Sequence, residues 1–176
     1  MQGHRYPGQV KALRHPERVA LMEVDRVVDL CLRGITVETV LDVGTGSGLF
    51  AEAFDARGLG TAGIDSSPDM IEAARQFVPR GRLELAPADA MPFSDRAFDL
   101  VFLGHVLHEA EPPIDALREA RRVARRRVGV LEWPYKEEAH GPPLPHRLET
   151  WEVERLGKDV GFRSFRIVWL RHMVLY

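Results

Sequence analysis

Five short apolar runs alternate along the chain with stretches in which apolar residues recur every three or four positions. The runs predict strands at 39–43, 61–64, 83–85, 100–103 and 128–131, and the stretches between them predict helices at 48–57, 68–77 and 114–125. Strands that alternate with helices are typical of an α/β fold, in which right-handed helical crossovers join parallel strands. The sequence therefore predicts a mostly parallel sheet covered by helices.

The segments on either side of this alternating core predict a cap and a lid. Residues 1–15 are expected to form an irregular arm, and 16–33 an amphipathic helix. The loop 133–147 holds four prolines and one glycine and is longer than an ordinary connection. After a helix at 149–160, the apolar residues of 164–176 form either a bent hairpin or one long edge strand. We expect the arm and the proline-rich loop to order over a bound substrate.

Composition favours one globular domain in the cytoplasm. The 176 residues are 45% apolar and 28% charged, with a formal net charge of -2. Neither a run of 18 apolar residues nor an export signal is visible, so no membrane partner is expected. Cys31 is the only cysteine, which excludes an intramolecular disulfide and a multi-thiolate metal site. The 21 arginines, three lysines and absent asparagines fit either a hot environment or a coding bias.

A glycine-rich motif lies where the first predicted strand meets the first helix. Residues 41–48 read Leu-Asp-Val-Gly-Thr-Gly-Ser-Gly and place an acid, Asp42, before three glycines. Glycine lets the backbone approach a ligand closely and adopt positive φ angles. Such a loop also suits a dinucleotide pyrophosphate, but that fingerprint needs a glycine where this chain has Leu49. A tight turn without a ligand is the structural alternative.

Two further carboxylates follow the second and third predicted strands. Asp65 lies where a carboxylate can accept hydrogen bonds from both hydroxyls of a ribose. Its alternative is an Asx turn before the next helix, for which Ser67 is the expected cap. Asp89 can accept a hydrogen bond from an adenine amino group, or it can serve as a helix cap or lie in a solvated turn. Three apolar side chains could cover the adenine ring: Ile64, Met70 and Met91.

These three features, in this order at the ends of consecutive strands, resemble the class I S-adenosylmethionine-dependent methyltransferases, particularly their small-molecule branch. The resemblance covers residues 36–132. It implies a Rossmann-like, doubly wound, mostly parallel sheet of the seven-stranded type with helices on both faces. It also implies S-adenosyl-L-methionine as the cofactor and S-adenosyl-L-homocysteine as the product.

The resemblance further implies a role for each motif. The glycine loop would face the methionine part of the cofactor, Asp65 the ribose, and Asp89 with Ala90 the adenine. The predicted cofactor-binding residues are Asp42, Gly44, Thr45, Gly46, Gly48, Asp65, Ser66, Met70, Asp89, Ala90, Met91 and His105. Arginines 125, 126 and 127 replace the family's Pro-Gly-Gly turn before the fifth strand, so a tighter or differently shaped turn is expected.

The acceptor side is less strongly marked in the sequence. His105 and His108 follow the fourth strand and share a face if that segment is helical, so either could orient an acceptor or take its proton. Both could instead be satisfied by backbone groups. Tyr6 and Tyr135 are further acceptor-side candidates, and no metal site is expected. The segment lacks the Asp/Asn-Pro-Pro-Tyr/Phe motif with which relatives hold an amino group of a nucleobase, so DNA is not expected as a substrate.

A run of arginines raises the question of RNA binding. Its members lie at 118, 121, 122, 125, 126 and 127, at the predicted end of the helix 114–125. Cations suit that end of the helix dipole, and no aromatic residues are interleaved with them. We therefore expect a solvated helix end rather than a track for phosphates, and RNA is not expected as a partner.

The sequence thus predicts a single methyltransferase domain, 1–176, that acts on a small-molecule acceptor by in-line transfer of the sulfonium methyl group. Its expected parts are an arm and cap helix (1–34), a cofactor-binding core (35–132), a lid loop (133–147) and a C-terminal helix with edge strands (148–176). The alternatives are a non-catalytic protein that binds the cofactor or its product, and an RNA methyltransferase. A nicotinamide-dependent oxidoreductase is opposed by Leu49. The sequence does not indicate the acceptor or the oligomeric state.

Overall fold

The computed structural model describes residues 10–176, and within them lies one seven-stranded sheet of order β3-β2-β1-β4-β5-β7-β6. The strands are β1 (Thr39–Val43), β2 (Gly60–Asp65), β3 (Arg82–Leu85), β4 (Phe98–Gly104), β5 (Ala124–Glu132), β6 (Val168–Trp169) and β7 (Val174–Leu175). The first five pair in parallel, whereas β7 is antiparallel to β5 and β6. The predicted Rossmann-like α/β fold with a mostly parallel sheet is confirmed.

Helices cover both faces of this sheet. They are α1 (Val10–Leu13), α2 (Pro16–Met22), α3 (Val24–Leu32), α4 (Leu49–Asp55), α5 (Pro68–Arg75), α6 (Pro113–Val123) and α7 (Thr150–Asp159). Side chains alternate along a strand, so β1 feeds two cores: Leu41 and Val43 pack with α6 and α7, while Val40 packs with α2, α3 and α4. None of the helices in this part of the chain is long and apolar enough to cross a membrane.

The N-terminal region differs from the sequence prediction in two segments. Part of the expected irregular arm is the short helix α1, and the expected helix over 16–33 is interrupted at Glu23. Glu23 has φ of 45° and ψ of 45°, a left-handed conformation that ends α2 and begins α3. Its carboxylate accepts hydrogen bonds from Arg26 Nη1 and from the backbone N–H of Arg171, both at 2.8 Å. These bonds hold the bend between the two helices.

The arginines at 125–127 lie in β5, so the prediction of a solvated helix end at these positions was wrong, while the connection is tight, with no residue between helix and strand. Helix α6 ends at Val123 and β5 begins at the next residue. Arg125 and Arg126 pair with the buried Asp99, at 2.9 and 3.1 Å. Arg127 Nη1 donates to the carbonyls of Cys31 and Arg33. Paired arginines therefore extend β5 beyond the apolar run from which its start was predicted.

The C-terminal region shows how the last two strands are arranged and how the proline-rich loop is packed. Strands β6 and β7 form a hairpin rather than one long edge strand. The proline-rich loop contains a 3-10 turn (Leu144–His146) and wraps around the buried Arg147. The Arg147 guanidinium donates to four backbone carbonyls of the loop, those of Pro134, Lys136, His140 and Pro142, at 2.7 to 3.1 Å. The loop is therefore packed around a central cation.

Candidate functional site

A cavity of about 630 Å³ lies at the carboxyl ends of β1, β2 and β4. Strand β1 lies between β2 and β4, so the order of strands reverses there, and ligands of open α/β sheets bind at such points. Eight of the twelve predicted cofactor-binding residues line the cavity: Gly44, Thr45, Gly46, Asp65, Ser66, Met70, Asp89 and His105. The sheet topology thus brings motifs from three parts of the sequence to one place.

The glycine loop turns sharply between β1 and α4. Gly44, Gly46 and Gly48 have φ angles of 64°, 53° and 78°, which favour glycine over residues with side chains. A Cβ at Gly44 would lie 2.3 Å from Val106 Cγ2, so the loop after β4 packs directly against this glycine. Gly48 does not line the cavity; a Cβ there would lie 3.1 Å from Ala74 Cβ, which indicates a role in packing α4 against α5.

Asp42 supports the loop from beneath rather than from within the cavity. Its Oδ2 atom accepts hydrogen bonds from Thr45 Oγ1 at 2.8 Å and from the backbone N–H of Ala51 at 3.1 Å. The pKa of Asp42 is raised to about 7, chiefly by burial and also by the nearby charge of Asp65. The two hydrogen bonds act in the opposite direction. The carboxyl group thus joins the glycine loop to the first turn of α4.

Asp65 fits both roles that the sequence left open. Its Oδ1 atom accepts the N–H of Ser67 at 2.9 Å, as in an Asx turn, and its Oδ2 atom accepts the N–H of Gly46 at 2.9 Å. Ser67 begins α5 but its side chain makes no capping hydrogen bond, contrary to the prediction. A carboxylate has about four lone-pair positions, so Asp65 retains capacity for two further donors on the side that lines the cavity.

The third motif follows β3 and also reaches the cavity. Asp89 lines the cavity with Ala88 and Met70, which provide a carboxylate and apolar surface for a ring. Ala90 is exposed and Met91 is buried, and neither is among the lining residues. The Met91 N–H donates to Glu119 Oε2 at 2.8 Å, so this residue anchors the loop to α6.

The short N-terminal helices form one wall of the cavity, a contribution that the sequence analysis placed only on the acceptor side. Leu13, Arg18 and Met22 line it. Arg14 donates from Nε and Nη2 to the carbonyl of Ser47 at 3.2 and 2.9 Å, and from Nη1 to Glu52 Oε2 at 2.7 Å. Its guanidinium also lies 3.3 Å from the centroid of the Phe77 ring. The segment is thereby fastened to the glycine loop itself.

His105 is half-buried in the wall of the cavity. It has φ of 60°, and its Nε2 lies 3.1 Å from Met22 Sδ while its Nδ1 has no hydrogen-bond partner within residues 10–176. Burial, together with the charges of Arg18 and His108, lowers the pKa of His105 to about 3, so its ring is neutral. The ring centroid lies 5.4 Å from that of Trp133, at an interplanar angle of 39°.

His108 lies three residues further on, in a turn rather than a helix, and pairs with a residue that the sequence analysis did not select. His108 Nδ1 lies 2.6 Å from Glu132 Oε2, and Glu132 Oε1 accepts the backbone N–H groups of Leu107 at 2.9 Å and His108 at 3.2 Å. Both side chains are almost fully buried. Glu132 is a charged residue at the end of an apolar strand, and this pattern is the sequence signal that could have identified it.

Of the two tyrosine candidates, only Tyr135 can be placed relative to the cavity. Tyr6 lies outside the described residues. Tyr135 is 45% exposed and is not among the residues that line the cavity. Within residues 10–176, no group of three or more His, Cys, Asp or Glu side chains is arranged to hold a metal ion.

Comparison with known proteins agrees with this geometry. A family described as a methyltransferase domain matches residues 41–130. The chain is similar to demethylmenaquinone methyltransferase of Thermotoga maritima, at 33% identity over 132 residues, or 72% of this chain and 57% of that protein. It is also similar to ribosomal protein L11 methyltransferase of Cupriavidus taiwanensis, at 37% identity over 123 residues, or 66% of this chain and 40% of that protein.

A solved structure matches over almost the whole chain. A SAM dependent methyltransferase from Aquifex aeolicus superimposes with a TM-score of 0.86 at 26% identity, covering 97% of this chain and 96% of that one. The chain belongs to the class I S-adenosylmethionine-dependent methyltransferase family, and S-adenosylmethionine is its cofactor. It spans 57% and 40% of the length of the two curated relatives named above.

Proposed function

We propose that this protein transfers the methyl group of S-adenosylmethionine to a small-molecule acceptor. The observation that carries the proposal is that one cavity is lined both by eight of the predicted cofactor residues and by residues from other parts of the chain. These other lining residues include Met22 of α2, Trp133 after β5, and Gly141 and Pro142 of the proline-rich loop, and we assign this part of the cavity to the acceptor. A site walled on several sides suits a small acceptor better than a folded macromolecule.

The residues of the cavity fit the cofactor on geometric grounds. The glycine loop exposes backbone at Gly44 and Gly46, Asp65 retains acceptor capacity for a ribose, and Asp89 with Met70 provides a polar and an apolar contact for adenine. When bound, the cofactor supplies an electrophilic methyl group on a positively charged sulfur. We assign Asp42 and Gly48 to the support of this site rather than to direct contact.

The protein's own task is then to hold the acceptor in line and to exclude water. Because the leaving thioether is neutral, little charge stabilisation of the leaving group is needed, and orientation supplies most of the rate gain. The walls formed by α2 and by the loop around Arg147 serve that purpose. The N-terminal segment and the proline-rich loop therefore remain our candidates for the cover of the acceptor, together with Tyr6 of the undescribed segment.

The names of the relatives leave the acceptor class open, since one acts on demethylmenaquinone and another on a ribosomal protein. The test is incubation of the protein with methyl-labelled S-adenosylmethionine and, separately, host metabolite extract, host RNA and host ribosomal proteins. We expect label in the metabolite fraction. Label in RNA or protein would contradict the small-molecule acceptor. Cofactor binding without label in any fraction would instead favour the non-catalytic binding protein.

A further inference from the structure

A buried acid–histidine pair, of which His108 lines the cavity, is not accounted for by the cofactor residues. Glu132 ends β5 and His108 lies in the turn after β4, so the parallel pairing of these strands brings them together across 24 residues of sequence. The carboxylate is held on both oxygens, by two backbone N–H groups on Oε1 and by the ring on Oε2. This arrangement fixes the proton of the neutral imidazole on Nδ1 and leaves the Nε2 lone pair free.

The free nitrogen of His108 belongs to the cavity side of the ring. His108 lines the cavity, and its Nε2 makes no hydrogen bond to any described residue. Glu109 Oε1 is the nearest acid to Nε2, at 3.8 Å, which is too long for a hydrogen bond. A proton acceptor whose other nitrogen is oriented by a buried carboxylate is the arrangement found in general bases.

The charged and titratable groups around His108 act in opposite directions. Burial disfavours the imidazolium, whereas the hydrogen bond and charge of Glu132 and the charge of Glu109 favour it and Arg147 disfavours it; in sum the pKa of His108 is raised. The other groups on this side are the neutral His105, Arg18 of α2, and Asp65, whose charge acts on Glu109. The environment thus makes His108 a stronger base than an exposed histidine.

Aromatic and thioether side chains line the cavity beside this pair, together with charged ones. The rings of His105 and Trp133 lie 5.4 Å apart, and Met22 Sδ contacts His105. Planar rings and thioethers pack well against a planar aromatic ligand. Aromatic walls beside a base suit an aromatic compound that carries a hydroxyl group.

Building on the proposed function, we infer that His108 is the general base of the reaction, that Glu132 positions it, and that the acceptor is an aromatic hydroxyl compound. The acceptor oxygen forms the new bond to the methyl carbon as the carbon–sulfur bond breaks and its electron pair stays on sulfur. The hydroxyl proton moves to His108 Nε2, where the carboxylate of Glu132 stabilises the resulting imidazolium. The proton then leaves to solvent, so the step balances without an oxidant or metal.

The test uses 4-nitrophenol as the probe, because its ionised form is yellow and its ionisation can be followed by absorbance. It is titrated with pH in the presence of protein saturated with S-adenosylhomocysteine. In the wild type we expect the pH of half-ionisation of the bound probe to fall by at least one unit, about a tenfold change in its ionisation constant. In His108→Gln the shift should disappear, and in Glu132→Gln it should shrink. Glu72→Gln, on the exposed side of α5, is the control for the exchange of a glutamate and should behave as the wild type.

A second measurement separates positioning by Glu132 from a merely structural role. With an aromatic hydroxyl substrate, kcat should rise with pH as His108 loses its proton, and Glu132→Gln should move this limb to lower pH as well as lower its plateau. A lowered plateau with an unmoved limb would overturn the role of Glu132. A wild type that neither binds 4-nitrophenol nor shifts its ionisation would overturn the acceptor class. A shift that is unchanged in His108→Gln would overturn the assignment of His108 as the base.

Failure of this inference can be told apart from failure of the proposed function. Calorimetry with S-adenosylhomocysteine reports on the cofactor site alone and also shows that each variant is folded. Label transferred to a metabolite without an aromatic hydroxyl group would keep the proposed function and overturn the inference. Label transferred only to RNA or protein would overturn both.

Discussion

At the scale of single residues, substitution of Asp65 should affect the glycine loop as well as the contact with the ribose. Its two oxygens already hold the N–H groups of Gly46 and Ser67, so its removal loosens the glycine loop as well. Asp65→Ala should weaken binding of S-adenosylhomocysteine by roughly 2 to 4 kcal/mol, because charge-assisted hydrogen bonds are lost. Asp65→Asn should be milder, since one oxygen remains. Isothermal calorimetry measures both, with the exposed Asp69→Ala as control. An alanine variant that binds like the wild type would refute the ribose assignment.

Arg14 connects the N-terminal segment to the cofactor loop through the carbonyl of Ser47 and the carboxylate of Glu52. Arg14→Ala should weaken cofactor binding roughly tenfold, equivalent to about 1.4 kcal/mol, because the loop loses its outer support. Arg155→Ala removes a surface arginine that pairs with Asp159 at 3.7 Å and should leave affinity unchanged. The same calorimetric titration tests both variants. Equal affinity in Arg14→Ala and wild type would mean that the N-terminal helices serve the acceptor side alone, as the sequence predicts.

At the scale of elements, Asp99 joins the starts of three strands. It accepts the N–H groups of Glu38 and Thr39 ahead of and within β1, and it pairs with Arg125 and Arg126 of β5. The pKa of Asp99 is lowered to about 2, chiefly by the backbone hydrogen bond from Glu38. Burial opposes this shift, and the hydrogen bonds from the two arginines and from Thr39 add to it. The carboxylate form is therefore favoured by folding.

This depressed pKa predicts a definite pH dependence of stability. Because the folded pKa lies below the unfolded value of 3.8, the stabilisation is fully present above about pH 4 and is lost as the pH falls to about 2. Asp99→Asn should lower the free energy of unfolding by about 2 kcal/mol at pH 7 and by much less at pH 2. Urea unfolding at both pH values measures this, with Asp159→Asn as the surface control. A loss that is the same at both pH values would contradict the ionic account.

The strands were predictable because each apolar run is short and bounded by turn residues or charges. The errors came from contacts that link distant parts of the chain. Glu23 is an ordinary helix former, and its left-handed backbone depends on a bond to Arg171, 148 residues away. The extra length of β5 depends on Asp99, which neutralises two arginines that sequence patterns assign to a solvated helix end. Local periodicity carries no information on such partners.

The residues of the candidate site also divide into those that the sequence predicted and those that depend on distant contacts. Gly44, Gly46, Asp65 and Asp89 follow consecutive strands, so spacing alone predicted that they would meet at one edge of the sheet. Glu132 was missed because its pairing with the turn after β4 requires the order in which strands lie, which the local sequence does not contain.

At the scale of the whole molecule, ligand binding should raise the melting temperature. At a concentration of S-adenosylhomocysteine one hundred times its dissociation constant, the folded state gains about 2.7 kcal/mol. For a chain of this length that corresponds to roughly 5 to 10 °C. NAD should give no shift, since Leu49 occupies the position where the dinucleotide fingerprint has glycine. Scanning calorimetry compares the two ligands, and an equal or larger shift with NAD would contradict the assignment of the cofactor.

The position of β7 has a consequence for synthesis on the ribosome. Strand β7 lies between β5 and β6, and the backbone of Val130 exchanges two hydrogen bonds of 2.8 Å with Tyr176. While residues 164–176 are still in the exit tunnel, the parallel core can already form, but the outer edge of β5 has no strand beside it. An unpaired edge is a template for pairing with another nascent chain. The arginines of β5 lie at the beginning of that edge, so the nascent core carries a charged stretch that opposes such pairing before the hairpin closes it.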